Sequence, residues 1–257
     1  MQPAVAVTPV FEPIAPDAAG MPLYRAVKRA LLDAIESGSC SPGHPLPSET
    51  ELAGAMGVSI GTLRRAVDEL TAEHLLVRRQ GRGTFVARHS RDRFVTQFFQ
   101  VEAEDGTREA PQAELVGFER VRCEAEPARA LGLREGEPAL RIESRVSLRG
   151  RAVVYDRISL PAALFRGLTE KRLHERIGSI YQLYQSDFGI TVVRALERAR
   201  AVLADRVAAR VLGLAPGAAL MQVRRTALTF GDRPVEHRVS MIDTTRHEYV
   251  GTLGGAR

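Results

Sequence analysis

Apolar side chains recur at every fourth position in the stretch that begins at Pro22. These positions are Leu23, Val27, Leu31 and Ile35. This spacing places them on one face of an α-helix, and Ser37 and Gly38 predict its end. A proline-rich loop separates this helix from the next periodic stretch.

Two further helices are predicted around a tight turn. Ser48 stands three residues before Glu51, the spacing of a capping box, so a short helix through Met56 is expected. Gly57 suits a left-handed helix end, and Ser59 suits the cap of the next helix. The apolar face of that next helix consists of Leu63, Ala66, Val67 and Leu70.

A β-hairpin is predicted after the third helix. Short β-prone runs at 75–77 and 84–86 flank the glycine-containing segment 80–83, which is the pattern of a hairpin. The order helix, helix, tight turn, helix, hairpin is that of a winged helix-turn-helix. We therefore expect a domain of this type over 21–89.

The second half of the chain predicts an antiparallel-sheet α+β domain over 110–252. Strands are expected at 115–121, 139–148, 152–159, 190–203, 220–229 and 235–242, and helices at 125–131, 179–188 and 205–212. The charged segment 90–109 is expected to be a linker that runs into the first strand.

One internal echo is visible in this second half. Residues 127–136 resemble residues 206–217, and each stretch precedes a strand, a glycine-containing turn and another strand. The echo predicts two related helix–hairpin halves. The alternative is that Leu-Gly-Leu is simply a common way for a helix to end.

The first twenty residues are expected to form a flexible tail. They contain four prolines and no lysine or arginine, so they resemble neither a signal peptide nor a membrane span. The two cysteines, Cys40 and Cys123, are too few for a disulfide framework or a zinc quartet. We interpret them as free thiols and expect a cytoplasmic protein.

The surplus of positive charge is concentrated in one place. The chain has 36 Lys+Arg and 31 Asp+Glu, a formal net charge of +5. Between His74 and Arg93 stand six arginines and one acid, so this stretch alone accounts for 6 − 1 = +5. A basic hairpin tip suits phosphate or minor-groove contacts with DNA. A solvated charged loop is the alternative.

The third helix has the polar face of a DNA-recognition helix. That face contains Gly61, Thr62, Arg64, Arg65, Asp68 and Glu69. A small, polar first turn allows a helix N-terminus to approach bases and phosphates. The alternative is an amphipathic helix with a solvated face.

These residues resemble the GntR family of bacterial transcription regulators. The resemblance covers about 21–89 and is carried by the motifs Pro-Leu-Pro-Ser-Glu at 45–49, Thr-Leu-Arg-Arg-Ala at 62–66 and Arg-Arg-Gln-Gly-Arg-Gly-Thr-Phe-Val at 78–86. Further on, Leu-Gly-Leu-Arg-Glu-Gly at 131–136 and Gly-Asp-Arg-Pro-Val-Glu-His-Arg-Val-Ser at 231–240 are similar to the UTRA effector-binding domain of its HutC-type branch. The resemblance implies a fold like that of chorismate lyase for 110–252.

The resemblance also implies which residues contact double-stranded operator DNA. They are Thr50, Ser59, Gly61, Thr62, Arg64, Arg65, Gly81, Arg82 and Gly83. Many family members have arginine where this chain has Thr50 and Ile60. Base contacts are therefore expected to fall more on Arg64, Arg65 and Arg82.

For the second domain, the resemblance implies a pocket on the sheet for an anionic or polar metabolite. The expected effector-binding residues are Arg145, Ser147, Asp156, Ser179, Tyr181 and Glu236. The family often has a second arginine where Ser147 stands, and Tyr-Arg where Ile242 and Asp243 stand. These two departures weigh against a sugar phosphate.

The expected function is that of a ligand-responsive, homodimeric transcription regulator that acts as a repressor and has no cofactor, catalytic residue or metal site. Gly57, Ser59 and Gly61 match the G-x-S-x-G pattern of hydrolases, but a helix precedes them where that motif requires a strand. The six histidines show no paired metal-ligand spacing. An enzyme with a chorismate-lyase-like domain and an architectural DNA binder are the competing functions.

Overall fold

The computed structural model describes residues 11–15, 22–90, 94–95, 97–108 and 110–251. They form two compact units, the first ending at Arg88 and the second beginning at His89. The expected fold class is confirmed: a winged helix-turn-helix precedes an antiparallel-sheet α+β domain.

The first unit consists of three helices and a hairpin. The elements are α1 (Leu23–Glu36), α2 (Glu49–Met56), α3 (Ile60–Ala72), β1 (Leu76–Arg79) and β2 (Gly83–Val86). The apolar faces predicted for the first and third helices meet in the core, where Val27, Leu31, Leu63 and Leu70 are 0% exposed. Burying such side chains stabilises the unit by about 1.5–3 kcal/mol each.

Local capping chemistry positions α2 and α3. Ser48 Oγ accepts a hydrogen bond from the Glu51 N–H at 3.2 Å, and the Glu51 carboxylate accepts one from the Ser48 N–H at 2.8 Å, which completes the predicted capping box. Gly57 ends α2 at φ +65°. Ser59 Oγ then caps α3 by accepting from the Thr62 N–H at 3.1 Å.

The tail expected over 1–20 is described only at 11–15. In that stretch the Ile14 N–H donates to the Met56 carbonyl at 2.9 Å, so this short segment is bonded to the end of α2. The flexible tail over 1–20 stays a prediction. The rest of the tail lies outside the described residues.

The second unit is built on one six-stranded antiparallel sheet. Its strands are β4 (Gln112–Arg122), β5 (Pro138–Leu148), β6 (Arg151–Pro161), β7 (Arg194–Leu203), β8 (Ala219–Leu228) and β9 (Pro234–Ile242), in the order β4-β5-β6-β9-β8-β7. The helices are α4 (Ala125–Leu131), α5 (Glu170–Glu175), α6 (Ile180–Phe188) and α7 (Arg206–Leu212). Sequence analysis did not predict α5.

The internal echo predicted two related helix–hairpin halves, and the strand order of the sheet is palindromic. Each half runs strand, helix, strand, strand, as β4-α4-β5-β6 and as β7-α7-β8-β9, and the halves meet where β6 pairs with β9. The echoed helices both end in a left-handed glycine, Gly132 at φ +66° and Gly213 at φ +68°. The two halves are thus related in topology as well as in sequence.

The two faces of the sheet carry different layers. On one face, Leu212 of α7 packs against Leu220 and Tyr155 of the sheet. Helix α4 packs on the same face in a neighbouring small cluster. The other face carries the larger core, to which α6 contributes Tyr181 and Tyr184.

Part of the segment expected to be a linker, 90–109, packs in this larger core. Phe94, Phe98 and Phe99 are buried there. Strand β3 (Val101–Ala103) pairs antiparallel with β10 (His247–Tyr249). The linker assignment is therefore wrong for most of 94–103, because the pairing partner of this charged stretch lies at the far end of the chain.

Candidate nucleic-acid interface and ligand cavity

The first turn of α3 presents a small, polar surface. The Ser59 and Thr62 hydroxyl oxygens lie 2.8 Å apart, so the cap and the turn it holds are linked by a side-chain hydrogen bond. Gly61 is exposed, and a Cβ added there would meet only Ser59 Oγ, at 3.9 Å. Ile60 is 43% exposed, and Thr50 is exposed on α2. A groove surface could approach this turn closely.

Arg64 projects from α3 into an ion-pair cluster. Its Nε and Nη2 atoms each lie 2.9 Å from Glu49 Oε2. Arg78 of β1 reaches the other oxygen of Glu49 at 3.3 Å and Asp68 at 2.5 Å. The cluster therefore joins α2, α3 and the hairpin, while the Arg64 side chain stays 59% exposed.

Arg65 is held by an aromatic ring instead of an acid. Its guanidinium carbon lies 3.9 Å from the centroid of the Tyr24 ring, at the start of α1. The Tyr24 hydroxyl accepts a hydrogen bond from Arg25 Nε at 3.2 Å. Cation–π contact of this kind restrains a long side chain without neutralising its charge.

The hairpin tip has the backbone that its glycines predict. Gly81 and Gly83 adopt φ +69° and +95°, and Arg82 between them is exposed. Nothing lies within 4 Å of a Cβ added at either glycine, so positive φ is what requires glycine here. The described part of the basic stretch carries Arg78, Arg79, Arg82 and Arg88, while Arg91, Asp92 and Arg93 lie outside the described residues.

The second unit contains a cavity of about 510 Å³ between the sheet and the α5–α6 region. Its apolar wall comes from both sides, with Ile142 and Ile158 on the strands and Phe94 and Phe99 on the segment before β3. The polar residues that line it include Ser144, Asp156, Arg176, Ser179, Gln182 and Arg238. An apolar wall with a few convergent polar groups is typical of a small-molecule site.

Arg238 is the buried centre of the polar wall. It donates to Asp156 at 3.2 Å and to the two oxygens of Glu236 at 3.0 and 3.1 Å. Tyr181 and Tyr184 also donate to Glu236, at 3.0 and 2.7 Å. Burial favours a higher pKa for Glu236, but the charge and hydrogen bonds of Arg238 outweigh burial and hold that pKa below its usual range.

Arg176 is the second arginine at the cavity. Its Nη atoms donate to the Leu173 and Ala113 carbonyls, the latter at 3.3 Å. Its Nε is buried and has no hydrogen-bond partner among the described residues. Beside it, Ser179 Oγ accepts from the Gln182 N–H at 3.2 Å and caps α6.

Sequence analysis located part of this site. Asp156 and Ser179 line the cavity, and Tyr181 and Glu236 lie behind it, in contact with or hydrogen-bonded to Arg238. Arg145 and Ser147 do not line it.

The alternation of side chains along β5 explains why Arg145 and Ser147 do not line the cavity. Ser144 and Val146 of β5 face the cavity, so Arg145 and Ser147 project from the opposite face. Arg145 pairs there with Glu114 at 2.5 Å, opposite Tyr155 in the ladder. Arg145 and Ser147, which were expected to bind the effector, therefore lie outside the cavity, and Ser144 and Val146 of the same strand line it.

Two arginines that line the cavity, Arg238 and Arg176, were not predicted from the sequence. For Arg238 a signal existed, because residues two apart on a strand share a face and Glu236 had already been selected. Arg176 lies in a connection between two helices, where no periodicity operates.

The described ranges contain no group of three or more His, Cys, Asp or Glu side chains that could hold a metal ion. In the same ranges, no helix is both long enough and apolar enough to cross a bilayer.

Two family models match the chain. The UTRA domain matches residues 107–248, and the model of bacterial regulatory proteins of the gntR family matches residues 23–86. The two matches fall on the two units of the structure.

Individual relatives agree with these models. The HTH-type transcriptional repressor NagR of Bacillus subtilis is 28% identical over 90% of this chain and 94% of its own. The histidine utilization repressor of Klebsiella aerogenes is 30% identical over 73% of this chain and 80% of its own. Among solved structures, the ligand-binding domain of a putative GntR-family transcriptional regulator from Bordetella bronchiseptica has a TM-score of 0.57 and 36% identity, covering 60% of this chain and 96% of that one.

Proposed function

Since this chain belongs to the GntR family of bacterial regulatory proteins and carries the UTRA domain of its HutC-type members, we propose that it binds its operator as a homodimer and is released by a small anionic or polar metabolite. Relatives named as repressors support repression. An operator-binding protein of this kind works in the cytoplasm.

The observations that carry the DNA interface are the capped, polar first turn of α3 and the glycine-flanked arginine at the hairpin tip. Arg64 and Arg65 follow that turn and are exposed, so they can reach base edges in the major groove. Arg82 stands at the tip of a hairpin whose glycines allow close approach, so we assign it to phosphate or the minor groove.

A homodimer accounts for how one short helix achieves specificity. Two recognition helices on a two-fold axis read two half-sites about one helical turn apart, roughly 10 base pairs. We therefore expect a palindromic operator.

The effector proposal rests on the polar wall of the cavity. Arg238 is already paired with two carboxylates, so it presents little free charge. Arg176 has a buried Nε without a partner in the described residues, and it stands beside the capped N-terminus of α6. A carboxylate or phosphate at this point would satisfy the guanidinium and gain from the helix dipole. The apolar wall would hold the rest of the ligand.

Control of DNA binding follows from linkage. A metabolite that binds the DNA-free state better than the DNA-bound state lowers operator affinity, and DNA lowers metabolite affinity by the same factor. A compound that leaves operator affinity unchanged at saturation is not the effector.

The test is selection of DNA by the full chain from a randomised duplex pool. We expect enrichment of a palindrome, and tighter binding to it than to a shuffled duplex of the same composition. Arg64→Ala and Arg65→Ala should each weaken the specific complex by about 1–3 kcal/mol, and Arg82→Ala should reduce the salt slope by about 1. Failure to enrich any sequence would refute the proposal.

A further inference from the structure

We infer that Glu49 is a specificity-determining residue of the DNA interface, which orients Arg64 for base reading and disfavours DNA of other sequences. The inference rests on the proposed interface of α3 and the hairpin. It concerns an acidic residue on a surface whose partner is itself an anion.

The position of Glu49 sets up this effect. It is the first residue of α2, directly after the cap residue Ser48, and its side chain is 28% exposed. From there it accepts hydrogen bonds from Arg64 on α3 and Arg78 on β1. One carboxylate thus restrains arginines on two elements of the proposed interface.

The bonds to Arg64 leave one side of its guanidinium available. The Nε and Nη2 atoms of Arg64 both face Glu49, and each lies 2.9 Å from Glu49 Oε2. A guanidinium has five N–H donors, so the Nη1 end keeps donors that point away from Glu49. A two-pronged contact with guanine needs such a pair of adjacent donors. Glu49 therefore limits Arg64 to the orientation in which that end faces outward.

The charge balance of the cluster supports the second half of the inference. Arg64 and Arg78 are matched by Glu49 and Asp68, so these four side chains sum to zero. A phosphate at this point would meet no net positive charge and would be repelled by Glu49. Non-specific DNA binding depends on phosphate neutralisation, so the cluster disfavours sequences that offer Arg64 no base contact.

Fold stability alone gives little reason for this arrangement. Partly exposed ion pairs contribute about 0–1 kcal/mol to folding. Removal of Glu49 is therefore expected to change DNA recognition far more than the unfolding midpoint. This difference separates a positioning residue from a structural one.

The experiment compares Glu49→Gln, Glu49→Ala and Arg64→Ala with the unchanged full chain. Each variant is titrated with the duplex enriched by the unchanged chain and with its shuffled counterpart, and each repeats the selection. We expect both Glu49 variants to bind the shuffled duplex several-fold more tightly and to lower the specificity ratio about tenfold, which is within the range that a two-pronged base contact contributes. They should lose preference at the same base pair as Arg64→Ala.

A double variant completes a double-mutant cycle between Glu49 and Arg64. If Glu49 acts through Arg64, then Glu49→Gln combined with Arg64→Ala should lower the specificity ratio no further than Arg64→Ala alone. Fully additive losses, or an unchanged base preference in both Glu49 variants, would overturn the inference.

The matched control is Asp33→Asn on the exposed face of α1. It removes the same charge outside the cluster and should leave the specificity ratio unchanged. A drop equal to that of Glu49→Gln would mean that net charge alone sets the ratio, and would also overturn the inference. If Arg64→Ala has no effect on specific binding, the proposed interface itself is wrong, which distinguishes the two failures.

Discussion

At the scale of single residues, the two arginines proposed to read DNA are held by opposite means. Arg64 is bonded to a carboxylate, whereas Arg65 lies on the Tyr24 ring and keeps its full charge. Pre-ordering reduces the side-chain entropy lost on binding, which is about 2 kcal/mol for a free arginine. Both arrangements therefore favour specific contact, but only one of them opposes contact with phosphate.

The Tyr24 ring gives a test of this ordering. Tyr24→Ala should weaken binding to the enriched duplex by about 0.5–1 kcal/mol, the contribution of an exposed cation–π contact. Tyr24→Phe keeps the ring and is the matched control, which should bind like the unchanged chain. Fluorescence anisotropy titrations measure both, and equal losses in the two variants would assign the effect to the hydroxyl and not to the ring.

Arg238 offers a second test at this scale, in the other unit. Arg238→Met leaves the buried carboxylates of Asp156 and Glu236 without their cation. We expect a loss of about 3–5 kcal/mol in the free energy of unfolding, the usual cost of breaking a buried ion pair from one side. Urea unfolding measures it. The exposed Arg157→Met is the control, and a loss within about 0.5 kcal/mol is expected there.

At the scale of elements, local chemistry was predictable and long-range pairing was not. The capping box at Ser48 and the glycine that ends α2 involve residues within a few positions of each other, so a short sequence window contains all the information. Strand β3 has its only described partner, β10, near the other end of the chain. Its three-residue length and charged neighbours give no signal of their own.

The candidate sites divide in the same way. Every residue expected in the DNA interface lies on α2, on α3 or its cap, or on the hairpin, because motif and element coincide there. To predict the cavity lining, one must know which alternate residues of each strand face it. The sequence-based assignment is on the cavity face for Asp156 and one residue away from it for Arg145. A one-residue error on a strand moves a side chain to the opposite face.

The reassigned segment before β4 makes a prediction about folding. A fragment that starts at His89 keeps β3 and the buried Phe94, Phe98 and Phe99, whereas one that starts at Ala110 loses them. Deleting even one buried phenylalanine costs about 3–5 kcal/mol. The shorter fragment should therefore have a much lower thermal unfolding midpoint, and equal midpoints for the two fragments would restore the linker interpretation.

At the scale of the whole molecule, two units carry two different chemistries in one chain. The first unit exposes arginines on a helix and a hairpin, and the second encloses a partly apolar cavity with buried ion pairs. Because exposed and buried charges respond differently to solvent, salt should act mainly on DNA binding. Acid should act mainly on the stability of the second unit.

His237 makes this pH dependence specific. Its ring nitrogens are buried, with no hydrogen-bond partner among the described residues, and burial lowers the pKa of the imidazole below its ordinary value of 6.5. The unfolded chain therefore binds a proton that the folded chain does not, and the free energy of unfolding falls as the pH drops below about 6.5. His237→Leu should flatten the stability profile between about pH 6.5 and 5, which urea titrations at several pH values would measure. An unchanged slope would contradict this assignment.

The palindromic sheet has a consequence for the origin of the cavity. A strand order that reads the same from both edges is what results when a half-length coding sequence is duplicated and fused, and each half here is one strand, one helix and one hairpin. The present halves have diverged in use. The β4–β6 half supplies Ile142, Ser144 and Asp156 to the cavity, whereas β7 and β8 of the other half form an ion pair between the exposed Glu197 and the buried Arg225. The two halves thus contribute unequally to the ligand cavity: among the described residues, the strands of the second half add Arg238 of β9, and the remaining strand residues of the lining come from the first half.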